Sequence, residues 1–142
     1  MPWKKSKDPL FRGDDRARVR RPHPGADPRV VRHILQLDGL GTESPYLSTT
    51  ESVDAAEHFA NPKCRVWETK APTAESEGVG HMAKKELLQA LRPKGTARYA
   101  WPSPHEILVA RTRVEKWSEH LLDFATRPDD AALDDTLSRI FA

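Results

Sequence analysis

Residues 45–60, PYLSTTESVDAAEHFA, pass from a short apolar run through Ser48, Thr49 and Thr50 straight into a helical pattern. A strand that hands over to a helix within a few residues fixes a tight local turn. Small hydroxyl side chains at such a junction can cap free helix amides, face a ligand, or do both. Whatever this chain folds into must contain that unit.

The flanking segments read as further strands and helices in alternation. LFRG, residues 10–13, predicts a short strand ending in glycine, and RRPHPGADP predicts a loop. Asp27 followed by Pro28 is a helix start, because aspartate accepts from free amides and proline fits the first turn. The helix then buries Val30, Val31, Ile34 and Leu35 and stops at Gly39 and Gly41. ESVDAAEHFA predicts a helix with Val53, Ala56, Phe59 and Ala60 inward, ended by Asn61 and Pro62. CRVWETK reads as a third strand. GHMAKKELLQAL is helical by the spacing of Ala83, Leu87, Ala90 and Leu91. An aromatic loop, TARYAWPSPH, leads into EILVART, the strongest strand pattern in the chain. Residues 113–142 predict two helices, the first through Val114, Trp117, Leu121 and Phe124, the second through Leu133, Leu137, Ile140 and Phe141.

At 142 residues the chain is long enough for one core and one domain, residues 1–142, with the first eight residues flexible. No GxGxxG or Walker loop accompanies the alternating elements, which favours an α+β domain over the common phosphate-binding α/β folds. Charged residues make up 31% of the sequence and no window approaches eighteen apolar residues, so no membrane partner or membrane span is expected. The basic amino terminus lacks a following apolar stretch, so no signal peptide is expected. Cys64 is the only cysteine, which excludes an internal disulfide, and the six histidines lack ligand spacing, so no metal is expected. Residues 1–30 hold nine Lys/Arg against four Asp, while residues 115–142 hold three against seven Asp/Glu. A basic front of this kind attracts phosphates, of a dinucleotide or of a nucleic acid.

Arg12, Ser48 and Glu106 are polar residues that these patterns place on strands. LFRGDDR, YLSTTESVDAAEHFA and SPHEILVA together resemble the arginine, then STS, then glutamate order of ADP-ribosyltransferases, the group that includes cholera toxin, the heat-labile enterotoxins and pertussis toxin. The resemblance spans residues 10–112 through three short motifs. It implies an ADP-ribosyltransferase-like fold of two small packed β-sheets flanked by helices, with NAD as substrate. It also implies Arg12 on the pyrophosphate, where a guanidinium forms paired hydrogen bonds. Glu106 would stabilise the oxocarbenium-like centre formed when the nicotinamide–ribose bond breaks. Ser48 would position that carboxylate, with Gly13, Thr49 and Thr50 completing the NAD site. Tyr99, Trp101 and His105, in the loop before Glu106, would recognise a macromolecular acceptor, protein or nucleic acid.

The position two residues before Glu106 is Pro104, where members that modify arginine carry glutamate and those that modify asparagine carry glutamine. This leaves NAD hydrolysis as an alternative to transfer. A toxin or effector of this kind acts in the cytoplasm of its own cell, or is delivered into that of another, and implies an immunity or antitoxin protein over the cleft. Another alternative is a non-enzymatic module that binds phosphate or nucleic acid on the same scaffold. A metal-dependent hydrolase lacks a ligand cluster. An integrin-type reading of Arg12-Gly13-Asp14 conflicts with the strand pattern there.

Overall fold

The structure, a computed structural model, describes residues 2–36, 43–60, 64–92 and 97–142. Strands and helices interleave: β1 (Leu10–Asp15), α1 (Val30–Leu35), β2 (Tyr46–Thr50), α2 (Val53–Phe59), β3 (Cys64–Thr69) and α3 (Ala71–Ser76) come first. They are followed by β4 (Gly80–Met82), α4 (Lys84–Ala90), a 3-10 turn at Ala97–Tyr99, α5 (Pro104–Trp117), β5 (Glu119–Asp123) and α6 (Ala131–Ile140). Among the described residues the strands form one antiparallel sheet in the order β3-β1-β2-β5-β4. The α+β class is as expected, but the expected pair of packed sheets is not what these residues form.

The reason lies in the two faces of that sheet. Successive strand residues point to opposite sides, and β2 and β5 each place an apolar residue on both sides. Tyr46 and Leu121 join a core with Val30, Val31 and Ile34 of α1, Leu87 of α4, and Ile107, Ala110 and Val114 of α5. Leu47 and Leu122 join a second core with Ala74 of α3 and Leu133, Leu137 and Ile140 of α6. Helices cover both faces, so a second sheet has no face left to pack on at these central strands. Each fully buried leucine contributes roughly 1.5–3 kcal/mol, so Leu121 and Leu122 make β5 a central strand that locks the two cores together.

Two expectations at the carboxyl-terminal end are corrected. Residues 106–112 are helix, not strand. Ser103 caps α5 by accepting the Glu106 amide at 3.2 Å, and Pro104 occupies the first turn. The apolar residues that suggested a strand follow helical spacing instead: Ile107, Ala110 and Val114 are buried, while Leu108 is 60% exposed. The segment expected to continue as helix through Phe124 is interrupted at Ser118, whose left-handed conformation (φ 46°) ends α5 and lets β5 begin at Glu119. The interval from Trp117 to Leu121 fits a helix turn by coincidence.

Smaller shifts follow the same logic. Helix α1 starts at Val30, two residues after Pro28, with the Asp27 carboxylate accepting the Arg29 amide at 3.0 Å. The expected stop at Gly39 and Gly41 lies outside the described residues, as do Asn61 and Pro62. Helix α2 is capped by Ser52, which accepts from the Ala55 amide, and buries Ala55 and Ala56 rather than Val53 and Phe59, which are 42% and 58% exposed. Residues 80–82, read as the start of a helix, are the edge strand β4. Among the described residues no helix is long and apolar enough to cross a membrane.

Candidate functional site

Strands β1 and β2 share one registered pair, Phe11 with Thr50, among the described residues. Beyond it Arg12 takes over the contact between the strands. Its Nη1 donates to the Ser48 carbonyl at 2.9 Å, and its Nε donates to Asp14 Oδ2 at 2.7 Å. Asp14 also accepts the Arg20 amide at 2.9 Å, so the carboxylate ties the loop after β1 to the same guanidinium. The splayed strands border a cavity of about 590 Å³, a volume usual for cofactor-sized ligands.

Ser48 faces that cavity at the centre of a hydrogen-bond chain. In the antiparallel register Thr50 lies opposite Glu119 and Ser48 opposite Leu121, so Ser48 and Glu119 are diagonal neighbours on one face. Ser48 Oγ donates to Glu119 Oε2 at 2.7 Å, and His33 Nε2 lies 2.8 Å from the same Oγ. With the hydroxyl proton directed to the carboxylate, His33 donates from Nε2 to the serine lone pair. This assigns a neutral imidazole protonated on Nε2. Burial, followed by the charges of Arg12, Arg20 and Arg32, brings the His33 pKa down to about 3.

Burial pushes the Glu119 carboxyl up to about 7, against the opposing pull of the Ser48 hydrogen bond and of Arg113 and Arg12. Between the ordinary value of 4.5 and about 7 the folded chain holds more protons than the unfolded chain, so stability falls as pH rises through that window and is flat above it. Glu119→Gln removes this dependence. The variant is expected to be more stable than the wild type at pH 8, by on the order of 2 kcal/mol, because cavity water screens part of the full effect. Urea unfolding of both proteins at pH 5 and pH 8 checks it; a stability difference that does not change between the two would contradict the burial of this carboxylate.

Of the residues singled out from sequence, Arg12, Gly13, Ser48, Thr49 and Thr50 line the cavity. The two threonine hydroxyls are occupied in holding the turn: Thr49 donates to the His120 carbonyl, and Thr50 donates to the Trp117 carbonyl while accepting the Ser52 amide. The hydroxyl cluster thus both supports the start of α2 and presents Ser48 to the cavity.

Glu106 is not brought to this group. It lies in the first turn of α5, accepts from the Trp101 indole at 3.2 Å, and is absent from the cavity wall. The helical conformation of residues 104–117 is the cause, since the expected placement needed a strand there. Tyr99 and Trp101 pack against the core under α1 and α5, with Arg29 over the Trp101 ring at 4.7 Å, and His105 is exposed on α5. None of these three lines the cavity.

Sequence reasoning missed His33, Glu119, Arg113 and Trp117, all of which line the cavity. Glu119 stood inside an apparent helical run, and the signal that could have found it is the strand-like pair Leu121-Leu122 behind it. His33 lies between the buried positions Val31 and Ile34 of α1, where no local signal sets it apart.

The arrangement sets chemical limits. Among the described residues Arg12, Arg20, Arg21 and Arg113 line the cavity with the Glu119 carboxylate; Asp14 balances Arg12, and Asp129 and Asp134 balance Arg21, so the wall offers guanidinium donors to an anionic ligand rather than a large net charge. The order of groups does not suit a serine-hydrolase triad. There the histidine stands between nucleophile and carboxylate, whereas here Ser48 stands between histidine and carboxylate. What remains is a carboxylate oriented by a hydroxyl, able to stabilise a neighbouring positive centre or to take up a proton. Among the described residues no group of three His, Cys, Asp or Glu gathers as metal ligands. Compared with known proteins, the chain matches no family model, no curated protein and no solved structure.

Proposed function

We propose that the chain is an ADP-ribosyltransferase that cleaves NAD at the nicotinamide–ribose bond, with Glu119 in the role the sequence motifs suggested for Glu106. The observation that carries this reading is the convergence of Arg12 from β1, Ser48 from β2 and Glu119 from β5 on one cavity. Their chain order reproduces the arginine, serine, glutamate order of the family that the sequence resembles.

Each group has a task matched to its chemistry. Arg12, whose Nε and Nη1 are held by Asp14 and the Ser48 carbonyl, meets the pyrophosphate as a fixed charge and through Nη2, together with the arginines beside it. The ionised Glu119 carboxylate stands by the ribose and stabilises the positive charge that develops as the glycosidic bond lengthens. That bond breaks with its electron pair leaving on nicotinamide, and the ribosyl carbon is captured by an acceptor oxygen or nitrogen, which then loses its proton. Ser48 fixes the carboxylate rotamer, and His33 fixes the direction of the Ser48 hydroxyl. Two residues before Glu119 stands Trp117, not a second acid or amide. The acceptor side therefore meets an indole, and activation of the acceptor falls to another group or to water.

The test uses purified wild-type chain and NAD labelled in its adenine half, with and without a cell extract. Label on a macromolecule supports transfer, and free ADP-ribose alone supports the hydrolytic form of the same chemistry. Intact NAD under both conditions overturns the proposal. As a toxin or effector marking a cellular protein or nucleic acid, the chain would also need an immunity partner covering the cavity. Expression of the wild type alone is then expected to slow growth, and expression of Glu119→Gln is not.

A further inference from the structure

The sheet face opposite Ser48 carries a second set of titratable groups that the proposed chemistry does not use. His81 of β4 and His120 of β5 lie there as diagonal neighbours, since His81 pairs with Leu122 and Thr49 with His120. His81 Nε2 is 2.8 Å from His120 Nδ1, and the rings stack with centroids 5.1 Å apart and planes 9° apart. His120 Nε2 is 2.8 Å from Glu51 Oε2. The Trp3 ring lies over both imidazoles, 4.4 Å from His120 and 5.6 Å from His81.

The proton positions in this chain follow from the carboxylate end. Glu51 accepts, so His120 carries its proton on Nε2 and presents a lone pair at Nδ1. His81 must then donate from Nε2, which leaves its own Nδ1 as a bare lone pair, buried and without a partner among the described residues. Both rings have to be neutral for this order to hold. A proton added at His120 Nδ1 sets two N–H groups against each other, and one added at His81 Nδ1 is buried with no acceptor.

Other charges face the pair from each neighbouring element. Lys5 of the amino-terminal segment bonds Glu75 of α3 at 2.8 Å, and Lys84 of α4 donates to Ser118 at 3.2 Å. Lys84 and Lys85 line a second cavity of about 330 Å³ together with Trp3, Glu51 and His120. The segment itself is closed by a short turn, in which the Asp8 amide donates to the Lys4 carbonyl at 2.8 Å and the Trp3 indole to the Pro9 carbonyl at 3.2 Å.

We propose that residues 2–9 form an acid-released strap, held down by Trp3 on the neutral His81–His120 pair and freed when that pair takes up a proton. Burial, with the charges of His120 and Lys5, brings His81 down to about 4, and burial also lowers His120 against the pull of Glu51. In the released state the imidazoles return toward their ordinary 6.5, so the released state binds more protons. As pH falls from about 6.5 to about 4, the closed state loses up to about tenfold in population ratio per pH unit through His81, and the lowered His120 adds to the loss in the same direction. Release opens the second cavity and leaves the sheet intact.

The experiment follows tryptophan fluorescence of the wild type, Trp3→Phe and His81→Gln from pH 8 to pH 4, with far-ultraviolet circular dichroism recorded alongside. The wild-type minus Trp3→Phe signal is expected to change with a midpoint between pH 4 and 6.5 while the dichroism stays constant. His81→Gln is expected to abolish or displace that change. Deuterium uptake by wild-type residues 2–9, corrected for intrinsic rate, is expected to rise between pH 7 and pH 5 relative to β2 and β5, and it decides the matter if His81→Gln does not fold. A flat Trp3 signal, a transition unchanged in His81→Gln, or unaltered uptake by residues 2–9 would overturn the proposal.

Discussion

Glu119→Gln is expected to lower nicotinamide release from NAD by about 100-fold or more, the scale set by removing a preorganised group that meets transition-state charge. The amide keeps the shape of the side chain and can still meet Ser48 Oγ, which lies 2.7 Å from Glu119 Oε2 in the wild type. NAD affinity should therefore change little while kcat falls. Charge is what the variant lacks, and charge is what an oxocarbenium-like centre needs. The wild-type rate has a matching pH signature. Because the carboxyl of the free chain is held up to about 7, only a fraction is ionised at pH 6, and kcat/KM should rise with pH through about 7 before levelling. A profile set by an ordinary surface carboxylate would already be level at pH 6.

Gly13→Ala is expected to be the most damaging single methyl that can be added near the site. A Cβ at Gly13 would stand 2.5 Å from the Ala56 carbonyl oxygen and 2.9 Å from the Ala60 nitrogen. Both are backbone atoms and cannot turn aside, so α2 must move off β1 as a body. Ala56 and Phe59 of α2 line the cavity, which means the shift reaches the site as well as the core. The cost is about 3 kcal/mol or more, at the upper end of what overpacking causes, and the melting temperature should drop by roughly 10 °C. Gly25→Ala is the control, because nothing lies within 4 Å of its added Cβ, and it should melt with the wild type. Equal melting temperatures for the two variants would contradict the close seating of α2 on β1. Gly13, singled out from sequence as part of a ligand site, thus has a packing role that is independent of any ligand.

The elements that sequence made legible are those whose signals are local. Val30, Val31 and Ile34 announced one helix face and Leu133, Leu137 and Ile140 another, and all six are buried where the spacing put them. The hydroxyl junction at residues 48–50 also declared itself, because a strand end next to a capped helix has few alternatives. Arg12 and Ser48 were legible for the same reason, each lying on a short strand with clear ends. The carboxylate was not. EILVA offers β-branched and aliphatic residues that suit either element, and what decides between them is tertiary: Ile107, Ala110 and Val114 find a core along one side of a helix. The left-handed turn at Ser118 carries no glycine to mark it, so the start of β5 was hidden, and Glu119 with it. His33 needed the sheet register and the burial of α1 before it could be placed beside Ser48.

Glu119, and not Glu106, is proposed to complete with Arg12 and Ser48 a site that acts on NAD. Nicotinamide release by the wild type, Glu106→Gln and Glu119→Gln, measured side by side at pH 8 on chains of matched circular dichroism, tests it most directly. Release is expected from the wild type and from Glu106→Gln at similar rates, with near-complete loss in Glu119→Gln. Loss in Glu106→Gln with activity kept in Glu119→Gln, or no release from any of the three, would contradict it.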